Sequence, residues 1–184
     1  MFKIDIEKDL HLELLDLTHA DRMYELTLKN KDEFIKWLPW VEDTKSVEDT
    51  KEFIKGSLEN FAKGKEINCN IFYKNELIGN ISLLGIKYKL NVKAGDIGYW
   101  LDGDFQGKGI ITKSVNKMLE IAFLKRELTR VTLKCATNNT NSCNVAKRVG
   151  FKFEGTLRSA AVVNRKVIDL NLFSILKDEF KGLK

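Results

Sequence analysis

The stretch that most narrows what this 184-residue chain can become runs from residue 96 to residue 123. Asp96-Ile97-Gly98-Tyr99-Trp100-Leu101 has the aromatic and β-branched content of a strand. Asp102-Gly103-Asp104-Phe105-Gln106-Gly107-Lys108-Gly109 then bends the chain. Beyond the bend, Ile111, Val115, Met118, Leu119, Ala122 and Phe123 fall at offsets 0, 4, 7, 8, 11 and 12. That is one apolar helical stripe. The first N–H groups of such a helix lack partners, and with the helix dipole they form a cradle for an anion. Gly107 and Gly109 have no Cβ, so a phosphate can approach the backbone, and Lys108 adds positive charge. The segment therefore predicts a phosphate or pyrophosphate ligand at the start of this helix. A plain turn with a helix cap is the reading that two glycines alone leave open. Lys108 is followed by Gly109 rather than Ser or Thr, which excludes a P-loop, and the full G-x-G-x-x-G fingerprint is absent.

Periodicity and caps supply the rest. Leu10, Leu12 and Leu14 alternate with polar residues as in a strand. Thr18 with Asp21, and Ser46 with Asp49, resemble capping boxes opening two helices, the first ending near Asn30. Residues 67–73 and 77–84 predict two strands joined at Lys74-Asn75-Glu76. Arg130–Cys135 predicts a buried strand and Asn139–Val149 a short helix stopped by Gly150. Phe151–Leu157 and Ile168–Leu176, linked through Asn164-Arg165, close the chain as strands. The expected fold is α/β, one mixed sheet with flanking helices, in a single domain spanning 1–184.

Composition excludes several classes. The net charge of +5 is spread along the chain with no like-charge run, so no direct nucleic-acid partner is expected. Three cysteines without a paired framework fit reduced thiols in the cytoplasm. His11 and His19 lie far in sequence from any cysteine, so no metal is expected. Met1–Leu10 is not a signal peptide, and no apolar run is long enough for a membrane helix.

Gln106-Gly107-Lys108-Gly109, preceded by Ile97-Gly98-Tyr99-Trp100-Leu101, resembles the coenzyme A-binding motif of GNAT acetyltransferases, Q/R-x-x-G-x-G/A. Gln106 and Gly109 match its first and fourth positions, while Ile111 stands at the sixth, where Gly or Ala is usual. Asn139-Thr140-Asn141-Ser142 and Val145 through Gly150-Phe151 are similar to the family's second motif. Glu154-Gly155 and Trp37-Leu38-Pro39-Trp40 resemble the RimJ/RimL branch, which acetylates ribosomal-protein N-termini. The resemblance covers essentially the whole chain. It implies a mostly antiparallel sheet in which two parallel strands, Asp96–Leu101 and Arg130–Cys135, splay around the pantetheine of acetyl-coenzyme A. Backbone groups near Trp100 and Leu101 would then pair with the pantetheine and polarise the thioester carbonyl. The N–H groups of Gly107, Lys108, Gly109, Ile110, Ile111 and Thr112 would hold the pyrophosphate with Gln106 as a further coenzyme-binding residue, and Asn139 and Asn144 would touch the coenzyme arm.

The same resemblance casts Ser142 as proton donor to the departing thiolate, with a helix-capping or packing role as the alternative. The branch's glutamate base falls at Ala161 and cannot be carried over. Asp96 is the substitute candidate, acting through water or only tethering a neighbouring backbone. Cys135 is expected to be a structural thiol rather than an acetyl carrier. Trp37 and Trp40 are expected either to line the acceptor pocket or to sit in the core. At about pH 7.5 roughly a third of α-amines but only about 0.1% of lysine amines are neutral, so a weak base suits a protein N-terminus. The expectation is an acetyl-coenzyme A-dependent N-acetyltransferase, by default a homodimer, acting on a protein N-terminus. The alternatives are a small-molecule amine acceptor, or a coenzyme A-binding sensor without activity.

Overall fold

One eight-stranded sheet runs through the computed structural model of the protein, which describes residues 3–89 and 92–182. Its strands are β1 (Lys3–Glu7), β2 (Leu10–Leu14), β3 (Ile67–Tyr73), β4 (Glu76–Lys89), β5 (Val92–Leu101), β6 (Arg130–Ala136), β7 (Lys152–Val163) and β8 (Lys166–Leu176). They lie in the order β1-β2-β3-β4-β5-β6-β8-β7. Every neighbouring pair is antiparallel except β5 and β6. The mixed, mostly antiparallel sheet is the expected one. The helices are α1 (Ala20–Lys29), α2 (Lys31–Phe34), α3 (Val47–Ala62), α4 (Ile110–Glu120) and α5 (Thr140–Val149). α1 and α3 cover one face of the sheet, α4 and α5 the other.

Alternation assigns the side chains to these two faces. On β6, Val131, Leu133 and Cys135 are buried toward α4 and α5. On β5, Ile97, Tyr99 and Leu101 join that core, whereas Trp100 packs with α1 and α3. Val115, Met118, Leu119 and Ala122 are fully buried, as the stripe predicts. Each large side chain so buried contributes about 1.5–3 kcal/mol. Past Glu120 the helix loosens into a π-turn over Ile121–Lys125.

Turn chemistry holds where it was read. Lys74 and Asn75, at φ 52° and 64°, make the left-handed hairpin turn between β3 and β4. Gly150 caps α5 at φ 100°. The Ser46–Asp49 capping box is formed, with Asp49 N donating to Ser46 Oγ at 3.2 Å. The Thr18–Asp21 box is not. A 3-10 turn precedes α1, and Asp16 Oδ1 accepts from Thr18 N at 2.9 Å instead. β1 has no counterpart in the sequence reading; its first residue follows Met1 and Phe2, which lie outside the described residues. β7 extends past Leu157 to Val163, because register shifts between Leu157 and Ala161 carry it across a break in its pattern.

Two details fix where β5 ends. A Cβ on Gly79 would stand 2.6 Å from Trp100 O, so only glycine lets β4 approach there. Asp102 is fully buried just after β5. Its carboxylate accepts from Lys29 Nζ at 2.7 Å and Asn30 Nδ2 at 3.1 Å, while Asn30 Oδ1 accepts from Gly103 N at 3.0 Å. The end of α1 is thereby latched to the glycine bend.

Candidate active site

Parallel pairing of β5 with β6 stops at Ile97 and Leu133. Beyond that point the strands part, and a cavity of about 920 Å³ occupies the gap. Gly98 through Leu101 form one wall, and Leu133 through Ala136 the other.

The glycine bend and α4 close one end. Gly107 and Gly109 are left-handed, at φ 75° and 74°, and a Cβ on either would meet no atom within 4 Å. Lys113 N is the first amide of the helix start to find a helical acceptor, Gly109 O at 3.1 Å. Among the described residues, the amides of 107–112 have no acceptor. Gln106, Gly107, Gly109, Ile110, Ile111 and Thr112 all border the cavity. Lys108 does not; its ammonium donates to Asp104 O at 3.0 Å and lies 4.8 Å from the Phe105 ring centre. Three cations do border it: Lys113, which donates to Glu7 Oε1 at 2.7 Å, Lys134, which lies 3.4 Å from Asp96 Oδ2, and Arg148, whose Nη1 donates to Thr112 Oγ1 at 3.1 Å. The sequence reading missed Arg148. Its signal is helical, since Asn144 and Arg148 lie four apart on one face of α5.

The helix α5 brings Ser142 to the cavity, and the Ser142 hydroxyl meets Tyr99 Oη at 2.9 Å. Asn139 Oδ1 accepts from Ser142 N at 3.1 Å, so Asn139 caps the helix while bordering the same space. Burial pushes the Tyr99 phenol pKa above its usual range, only partly offset by the Ser142 hydrogen bond. Tyr99 was another omission. Strand alternation points it at the α5 side, but only the tertiary fold supplies Ser142 opposite it.

At the other end the cavity is lined by Glu33, Phe34, Trp37, Trp100 and Ala161. Glu33 is the carboxylate on this wall, and nothing in its sequence neighbourhood singles it out. Its Oε1 accepts from Trp37 Nε1 at 2.9 Å and its Oε2 from Lys36 Nζ at 2.6 Å. Lys36 first, then Trp37, hold its pKa below the usual carboxylate range. Trp40 stands behind Trp100, ring centres 6.5 Å apart, and does not border the cavity. Asp96 does not border it either; Thr132 Oγ1 donates to one carboxylate oxygen and Lys134 Nζ lies 3.4 Å from the other. Ala161 faces the space without a functional group.

An antiparallel sheet opened at one parallel pair, with free amides at the mouth of the gap, fits a thioester of coenzyme A. Residues 9–152 match the family described as "Acetyltransferase (GNAT) domain", and the chain belongs to that family. It is an acyltransferase whose donor is acetyl-coenzyme A. The Ribosomal-protein-serine acetyltransferase of Escherichia coli is 35% identical to it, with 95% of this chain and 97% of that one aligned. The structure of RimL, a ribosomal L7/L12 α-N-protein acetyltransferase with coenzyme A in disulfide linkage to a cysteine, superposes with a TM-score of 0.90. It is 30% identical and covers 95% of this chain and 98% of its own. A Salmonella typhimurium acetyltransferase that modifies the N-terminal serine of L7/L12 superposes with a TM-score of 0.85 at 31% identity, covering 95% and 99%. Among the described residues no cluster of metal-binding side chains occurs, and no helix is long and apolar enough to cross a membrane.

Proposed function

We propose that the protein acetylates the α-amine of a protein N-terminus, with ribosomal proteins as the acceptor class. The carrying observation is one continuous cavity that joins the free amides of 107–112, the parted strands, the Tyr99–Ser142 pair and a mouth holding Glu33. In this reading the amides and Arg148 hold the coenzyme diphosphate, and Asn144 on the same helix face contacts the arm. The backbone of Trp100 and Leu101 pairs with the pantetheine, as an exposed strand edge does. Acetyl-coenzyme A supplies the activated acyl group. The neutral amine attacks the thioester carbonyl carbon, the C–S bond breaks, Ser142 passes a proton to the departing sulfur, and the proton that the new amide nitrogen gives up returns through water to Ser142. Tyr99, kept protonated by burial, positions the Ser142 hydroxyl. Glu33 draws in the protonated N-terminus and takes up its proton through water, a role the position of Asp96 does not favour. Trp37, held by Glu33, forms part of the acceptor wall; Trp40 supports it through Trp100.

The relatives' named acceptors support a protein substrate, and with them a cytoplasmic location. A homodimer belongs to the same reading, supported by the sheet edge that β7 leaves unpaired, where Phe153 and Val162 are exposed. Thiol release from acetyl-coenzyme A tests the acceptor. At about pH 7.5, peptides with free Ser or Ala N-termini should be acetylated at least tenfold faster than N-blocked peptides carrying free lysines. Faster lysine or polyamine acetylation overturns the acceptor assignment. Coenzyme A binding without turnover on any amine would make the protein a sensor.

A further inference from the structure

Two thiols stand at the wall of the coenzyme gap. Cys135 Sγ on β6 and Cys143 Sγ on α5 are 3.0 Å apart, and both are free thiols. Cys135 borders the large cavity beside Ser142. Cys143 borders a second cavity of about 390 Å³, which Cys135 does not line, and Asn171 Nδ2 lies 3.6 Å from its sulfur. The sulfurs need to close by about 1 Å to reach bonding distance. One is placed to meet a ligand in the coenzyme gap, and the other is placed behind it.

We propose that Cys135 and Cys143 form a thiol–disulfide exchange pair that reduces coenzyme A disulfide. This rests on the coenzyme placement proposed above. Oxidation at sulfur leaves the diphosphate and pantetheine unchanged, so the amide cradle that holds the thiol form also accepts the disulfide. The Cys135 thiolate attacks the nearer sulfur of the ligand; that S–S bond breaks, and one coenzyme A leaves as a thiolate and takes up a proton. Cys143, deprotonated in turn, attacks Cys135 Sγ; the mixed disulfide breaks, and the second coenzyme A leaves and is protonated. Two protein thiols become one internal disulfide, and one ligand disulfide becomes two thiols. Without Cys143 the first step is a dead end that plugs the channel with its own coenzyme. With it, the coenzyme escapes and any small thiol can reopen the protein. Burial, and then the contact with Cys143, push the Cys135 thiol up to about 12, so the exchange is slow at neutral pH and quickens as pH rises.

The test incubates the reduced full-length protein with coenzyme A disulfide at about pH 8.5 and follows intact mass and released coenzyme A. Wild type should lose two hydrogens and release two coenzyme A molecules per chain. Cys143→Ser, and Cys143→Ala as a second variant, should arrest with one coenzyme A attached and one released. Cys135→Ser should do neither. Glutathione disulfide, which has no diphosphate for the cradle, should react at least tenfold more slowly. Accumulation of the mixed disulfide in wild type to the level of Cys143→Ser overturns the pair, and so does equal speed with glutathione disulfide. Calorimetry with coenzyme A separates the two failures. Binding without exchange sinks the pair alone, whereas absence of binding sinks the coenzyme placement beneath it.

Discussion

Tyr99 and Ser142 reach each other across the gap between β5 and α5, from strands and helices far apart in sequence. Burial favours the neutral phenol, so the pair retains its proton throughout the working pH range. Tyr99→Phe removes the oxygen that orients Ser142 and little else. The expected effect is a fall of about tenfold in kcat with KM for acetyl-coenzyme A nearly unchanged, matching the worth of one orienting hydrogen bond. If the phenol acts through Ser142, Tyr99→Phe combined with Ser142→Ala should be no slower than Ser142→Ala alone. Steady-state kinetics of the two single variants and the double variant decide it; additive losses would mean that Tyr99 acts independently. Glu33 shows the same principle at the acceptor end. Nothing around Lys31-Asp32-Glu33 in sequence marks one carboxylate, and the fold singles out Glu33 by turning Trp37 and Lys36 onto it.

At the scale of elements, the passage from β5 through the bend into α4 shapes the end of the cavity proposed to hold the donor. Gly109 is at φ 74°, where any side chain strains the backbone, and its open side faces the cavity. Gly109→Trp should lower coenzyme A affinity at least 100-fold in calorimetry, because the indole takes the space assigned to the diphosphate. Gly109→Ala, carrying the strain without the bulk, should lose much less. Equal losses would assign the effect to backbone strain rather than to the cradle. The bend is held from the opposite side of the sheet as well, since Asn30 and Lys29 at the end of α1 grip Asp102 and Gly103. The helix α2, which carries Glu33 to the cavity, begins at Lys31, immediately after that latch. One short segment therefore positions both the glycine bend and the Glu33 end of the cavity.

For the molecule as a whole, these ion pairs set an acid limit. Burial opposes ionisation of Asp102, but Lys29 and Asn30 outweigh it and hold its pKa below the usual range. Arg130, and then Ser174, hold Glu154 down at about 2, tying β7 to β6 across β8. Both folded values lie below the unfolded ones. Their stabilisation is therefore complete above about pH 4.5 and is lost as pH falls through the folded values, about 2 for Glu154. The thermal midpoint should be level from about pH 7 to 5 and fall steeply below about pH 4. Asp102→Asn weakens the charged hydrogen bond from the half-exposed Lys29 and should cost roughly 2 kcal/mol at neutral pH. Its deficit should shrink as pH falls below the usual carboxylate range and the wild-type carboxyl takes up a proton; a deficit constant with pH would mean that charge is not what Asp102 contributes. The sequence by itself determined what depends on near neighbours in the chain. The apolar stripe of α4, the left-handed turns at Lys74-Asn75 and Gly150, and the glycine cradle are all fixed by local sterics and by periods of two or 3.6 residues. Only the tertiary structure decided which side chains share a cavity. It withdrew Lys108 and Asp96 from the wall, put Arg148 and Glu33 on it, and paired Tyr99 with Ser142 and Cys135 with Cys143. Those contacts join residues on different elements, and no local interaction specifies how the elements dock.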